Sequence, residues 1–164
     1  VTPVAREFEV DDGGEPIRSE WVAATLQARI LGAKKPFGQL EYGQFDSCDP
    51  DRMANPDNIK YSPEMRALFI GEDSGMHLNN YLWVWSIDSG TLTRIFSAPA
   101  GGERTGLQVV PNLNGHAYIL GNIQHPGAAN DLKKYPDSIK LDLRKKIDPR
   151  GAVGYLGGLP ALTR

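Results

Sequence analysis

Four pairs of polar residues stand where a reaction would need them. Asp57-Asn58, Glu72-Asp73, Glu103-Arg104 and Gln124-His125 each border an apolar run. The first and third pairs lie about 46 residues apart and the second and fourth about 52, near the roughly 40–50 residues of a propeller blade. In a hairpin the start of the first strand and the end of the second share an edge, so these residues are expected at one end of a sheet stack. Carboxylates gathered there repel unless a cation neutralises them, and converging oxygens suit Ca²⁺ or another hard metal. Arg104 beside such a cluster has the fork geometry to hold a phosphate, as a catalytic or substrate-binding group. His125, before Pro126-Gly127, has the chemistry of a proton carrier or a ligand. Each residue also has an ordinary structural role. Asp57 and Asp73 suit turn caps, Glu72 a solvated carboxylate, Arg104 a neutraliser of Glu103 or Glu72, and His125 a turn. Their shared place in the repeat is what favours a site.

The elements that must position them are short strands. Strands are expected over residues 59–61, 67–70, 81–87 and 92–96, with turns at 62–65 and 88–90. Tyr81, Trp83 and Trp85 alternate as a packed strand does, so core is expected of them. Residues 107–110, a turn at 111–115 and a strand over 117–123 begin the pattern again. The chain thus divides into three stretches. Residues 1–56 are an irregular lead-in with a partial blade and one short helix over about 19–31, capped by Ser19. Residues 57–127 are a blade plus the start of the next and carry the motifs. Residues 128–164 are a polar, basic segment ending in a closing strand or tail. The expected fold class is all-β, part of a β-propeller; an ordinary antiparallel sandwich fits the same pattern.

Composition narrows the functions. With 18 Lys+Arg against 20 Asp+Glu, the net charge is −2, so no nucleic-acid partner is expected. Hydrophobic residues at 40% place the chain among globular proteins, and 18 Gly with 12 Pro suit a turn-rich β fold. No apolar run reaches the roughly 18 residues of a membrane span, and no membrane partner is expected. The single cysteine, Cys48, excludes an intrachain disulfide and is expected to be an incidental thiol rather than a ligand. His77, His116 and His125 make no HExxH pattern, and GxSxG, P-loop and GxGxxG motifs are absent. The first residue is Val1, which suggests a processed product or a fragment.

Asn-Pro-Asp-Asn-Ile (55–59), Leu-Phe-Ile-Gly-Glu-Asp (68–73), Gly-Gly-Glu-Arg-Thr-Gly (101–106) and Asn-Ile-Gln-His-Pro-Gly (122–127) together resemble the PhoX alkaline phosphatase family, in its order and spacing. The stretch covered, 55–127, is under half of the chain. The resemblance implies a six-bladed propeller that hydrolyses phosphate monoesters through an oxygen nucleophile activated by calcium and iron at the channel mouth. It implies an exported bacterial enzyme, periplasmic or extracellular. Glu72 and Glu103 match the motif acids and are the first metal ligands it implies, with Asp73, Asp57 and Asn58 behind them. The family's iron also takes a cysteine, expected upstream, which Cys48 does not match. At about 45 residues per blade, 164 residues supply some three blades, fewer than the four to eight that close a ring. The missing remainder of a propeller, or a second chain, is therefore an expected partner. Two other functions fit: a calcium-dependent lactonase-type propeller and a non-catalytic binding propeller.

Overall fold

The structure, a computed structural model, describes residues 28–33, 46–133 and 135–162. The chain divides into two compact units, Val1–Leu31 and Gly32–Arg164. Of the first unit, residues 28–31 are described, and they form neither helix nor strand. The expected helix over 19–31 therefore does not extend through its last four positions, where Gly32 follows and disfavours a further helical turn. Its residues 19–27 lie outside the described ones.

In the second unit, four strands form an antiparallel meander: β1 (Pro56–Ser62), β2 (Ala67–Glu72), β3 (Tyr81–Ser86) and β4 (Leu92–Ser97), in the order β1-β2-β3-β4. The turns are those the sequence marks. Arg66, at φ +49°, closes the β1–β2 turn, and Gly90, at φ +67°, returns its N–H to the Ser86 carbonyl before β4. β2 is buried along nearly its whole length because it has a strand on each side and core on its face. Phe69 and Leu82 are fully buried, and with Ala67 they pack against Val109 and Ile119 of the second sheet. That shared core joins the two sheets.

The second sheet has the order β5-β6-β7, from β5 (Glu103–Leu113), β6 (His116–Gln124) and β7 (Ala152–Pro160), all antiparallel. β5 and β6 are joined by Asn114-Gly115, both at positive φ (+52° and +82°), the type I′ geometry whose twist matches a hairpin. β7 closes the sheet on β6, as one of the two expectations for the chain's end has it.

The polar, basic segment before β7 is helical, which the sequence did not mark. Two helices form there, α1 (Ala129–Leu132) and α2 (Asp137–Lys146). Asp137 in the first turn and Arg144, Lys145 and Lys146 in the last complement the helix dipole. Ile139 and Leu143, one helical turn apart, join Ile147 against Ala100, Leu132 and Tyr135. The described architecture is mostly β, in two antiparallel sheets, with these helices between β6 and β7.

Candidate functional site

Strands from both sheets meet at one corner. Gly71 of β2 runs against β5 so closely that a Cβ there would lie 2.1 Å from the Arg104 carbonyl oxygen, a gap that only glycine allows. The Thr105 hydroxyl of β5 donates to Asn58 Oδ1 of β1 at 2.9 Å, and the Asn58 amide donates to the Asp57 carboxylate. Asp73, just past β2, gives its N–H to the carbonyl of Asn55, which holds φ +40°. Glu103 opens β5 opposite Gln124. His125 follows at φ +33°, with its carbonyl accepting from the Ala128 N–H, and this tight turn sets Nε2 3.2 Å from Glu103 Oε2.

Electrostatics tie these groups together. The Glu103 carboxyl is held above its usual range first by burial, then by the negative charge of Asp73 and, more weakly, of Asp57. The contact with His125 pulls it the other way. Of the residues expected at this end of the stack, Glu103, Asp73, Asp57, Asn58 and His125 are brought together.

Glu72 and Arg104 are placed elsewhere, for one reason. Successive residues of an extended strand face opposite ways, so neither Glu72-Asp73 nor Glu103-Arg104 can deliver both side chains to one side. Glu72 is fully buried and turned toward the loops. Its Oε1 accepts from the Ala54 N–H and from Trp83 Nε1–H, both at 2.8 Å. Its Oε2 accepts from the Tyr81 N–H at 2.9 Å and lies 3.1 Å from His77 Nδ1. A carboxylate with four such partners has no oxygen left for a cation, and the ligand role expected of Glu72 is not offered by this geometry. Arg104 points between the sheets. Its guanidinium lies over the Phe96 ring, 4.8 Å from the centroid, and burial alone lowers its proton affinity. No carboxylate among the described residues pairs with it. The phosphate-gripping role expected of Arg104 at the carboxylates is likewise not offered here.

Three supporting residues are not among the site candidates that the sequence singles out. His77 belongs to no zinc pattern, yet it braces Glu72 and places Nε2 3.3 Å from the Asp49 carbonyl. Trp83 has the alternation of a core residue, and it also donates to Glu72. Thr105 lies within the Gly-Gly-Glu-Arg-Thr-Gly motif, where nothing singles it out from its neighbours. A cleft of about 500 Å³, lined by Pro126, Ile147, Asp148 and Arg150 among others, includes none of the expected site residues.

The donor chemistry of the corner fits calcium: buried Glu103, two further carboxylates whose charges already load it, and an amide oxygen nearby. The carboxylates gather charge there without a closed coordination shell; among the described residues no three His, Cys, Asp or Glu side chains converge in metal-holding geometry. Iron does not fit at Cys48. That thiol is buried, with Sγ 3.1 Å from the Ala33 carbonyl and 3.6 Å from that of Met53, and burial pushes its pKa up, away from the thiolate a metal needs. No family model, no curated protein and no solved structure matches this chain.

Proposed function

We propose that the chain carries the acidic corner of a calcium-dependent hydrolase of phosphate monoesters, built on a β-propeller in which its two sheets are neighbouring blades. The observation that carries this reading is that the negative charges of Asp73 and Asp57, from two other strand ends, both reach buried Glu103, whose Oε2 lies 3.2 Å from His125 Nε2. The four motifs that resemble the PhoX alkaline phosphatases supply the choice of reaction, and with it an exported, periplasmic or extracellular setting.

Glu103, Asp73 and Asp57 offer the oxygens. Asn58 fixes the Asp57 carboxylate, and Thr105 fixes Asn58. When bound, a divalent cation supplies the charge stabilisation that phosphoryl transfer asks for and makes water more acidic. His125, about half exposed, sets Nε2 3.2 Å from Glu103 Oε2, where an imidazole bridges that carboxyl to solvent or to a leaving oxygen. The test is hydrolysis of p-nitrophenyl phosphate by the full-length gene product. Activity that vanishes with chelator and returns with Ca²⁺ is expected. A calcium-loaded protein inert across a panel of phosphate esters overturns the reading.

The turned-away Arg104 favours a second reading. Without a guanidinium at the corner, an uncharged carbonyl substrate is served as well as a phosphate, as in a calcium-dependent lactonase. Lactone turnover without phosphate-ester turnover selects it. A folded protein that binds no calcium selects a non-catalytic propeller.

A further inference from the structure

The Arg104 guanidinium is deeply buried and incompletely used. The residue is 3% exposed. Gly121 lies against one side of its head, where a Cβ would come within 2.7 Å of Cζ, and the Phe96 ring also packs on it. Nη1 donates to the Asn122 carbonyl at 3.3 Å, while Nε is buried without a partner among the described residues. Buried polar groups are nearly always satisfied, and a buried charged donor left idle is expensive, so this one needs an explanation.

Beside the guanidinium is a cavity of about 170 Å³, walled by Phe96, Ile123, Val153, Gly154, Tyr155 and Leu156. Apolar groups line most of it, and among the described residues Arg104 is its one charged wall. The space admits a small anion and is too small for a nucleotide or a sugar phosphate. β7, which forms one wall, is an edge strand of its sheet, so the cavity lies where the second sheet ends.

We propose that Arg104, itself buried, anchors a binding site for a small oxyanion, a phosphate or a carboxylate, at the floor of this pocket beside the exposed strand β7, held by the Nε–Nη2 edge of its guanidinium. Two parallel N–H···O bonds from that edge satisfy the idle donor and neutralise the buried charge at once. This site is separate from the Glu103 corner. Glu103 and Arg104 project from opposite faces of β5, and the corner repels anions where this cavity attracts them. The proposal holds whether or not the corner takes a metal.

The test is the melting temperature of the full chain in chelator, at constant ionic strength, with sodium phosphate, sodium acetate or sodium chloride. Phosphate or acetate at tenfold above its Kd is expected to raise the melting temperature by about 4 °C over chloride. Arg104→Met is expected to lose that rise. Gly154→Leu is expected to lose it too while melting normally in chloride. Gly154 lines the pocket and no atom lies within 4 Å of a Cβ there, so a side chain at this position starts in open space beside Arg104. Glu103→Gln is expected to keep the rise. Equal melting in all three salts overturns the proposal. So does a rise that survives in folded Arg104→Met or Gly154→Leu, or one that Glu103→Gln abolishes.

Discussion

Adjacent acids in this chain do different work. Asp73 sits at the exposed corner, whereas Glu72 beside it is a buried acceptor that pins Ala54, Tyr81, Trp83 and His77 around one carboxylate. Removing it orphans two backbone N–H groups and an indole N–H in the interior. Glu72→Ala is expected to cost about 3–5 kcal/mol in urea unfolding; a loss below about 1 kcal/mol would show that the network bears little weight. Glu103→Gln is expected to act differently, leaving the fold intact and abolishing the Ca²⁺-dependent rise in melting temperature. An unchanged calcium response would remove Glu103 from the site. Cys48 gives a pH test. Its thiol is raised in the folded state by burial, so above the ordinary thiol range the unfolded chain releases a proton that the folded chain keeps. Stability is therefore expected to fall as pH rises through and beyond that range, and Cys48→Ala is expected to flatten the fall. Much of the site was legible at this scale, because acids at strand ends are visible in sequence. Which of two neighbouring residues faces the corner is set by strand parity. Once the bounds of β5 are fixed, parity separates Glu103 from Arg104, whereas Asp73 parts from Glu72 because β2 ends at Glu72.

At the scale of elements, the meander was legible because local chemistry decided it. Asn114-Gly115 supplies a turn whose dihedrals other residues resist, and the alternation of Tyr81, Trp83 and Trp85 marks β3 as a strand but not its core face, since Leu82 and Val84 enter the shared core while Arg94 lies over the Tyr81 and Trp83 rings. α2 was not legible. Its apolar residues at 139, 141 and 143 alternate with the period of a strand, and only the pair Ile139–Leu143 carries the helical spacing that packs on Tyr135 and Leu132. Leu141, which completes the false strand pattern, is exposed. β5 is expected from sequence to start near residue 107 and begins at Glu103, because its first residues pair with β6 while a bulge at Gly106, φ +61°, separates them from the rest. The close approach of β2 to β5 depends on one position. Gly71→Ala would set a methyl group against the Arg104 carbonyl oxygen and force the strands apart. It is expected to destabilise the chain by about 1–3 kcal/mol, as overpacking of a tight contact does, and to weaken calcium binding with it. Wild-type calcium affinity in Gly71→Ala would show that the corner does not depend on this approach.

Over the whole described molecule, the corner is the place where two independently hydrogen-bonded sheets share charge as well as core. Asp57 comes from β1 and Asp73 from the end of β2, in one ladder; Glu103 opens β5 and His125 follows β6, in the other. Sequence repeats hinted at two such units, but no local signal states how one sheet sits against another, since that depends on the fit of Phe69 and Leu82 against Val109 and Ile119. A cation held by Glu103 together with Asp57 or Asp73 would tie both ladders, and its binding free energy would then appear as resistance to opening in both. At a calcium concentration about 100 times its Kd, amides that exchange only when the sheets separate are expected to slow about 100-fold. That slowing should appear together in β1, β2, β5 and β6, while α2, none of whose residues is fully buried and whose apolar side packs on Leu132 and Tyr135, exchanges as before. Native-state hydrogen exchange with and without Ca²⁺ reads this directly. Protection confined to β5 and β6 would mean that the acids of the first sheet take no part, and the corner as a shared calcium site would fall with that result.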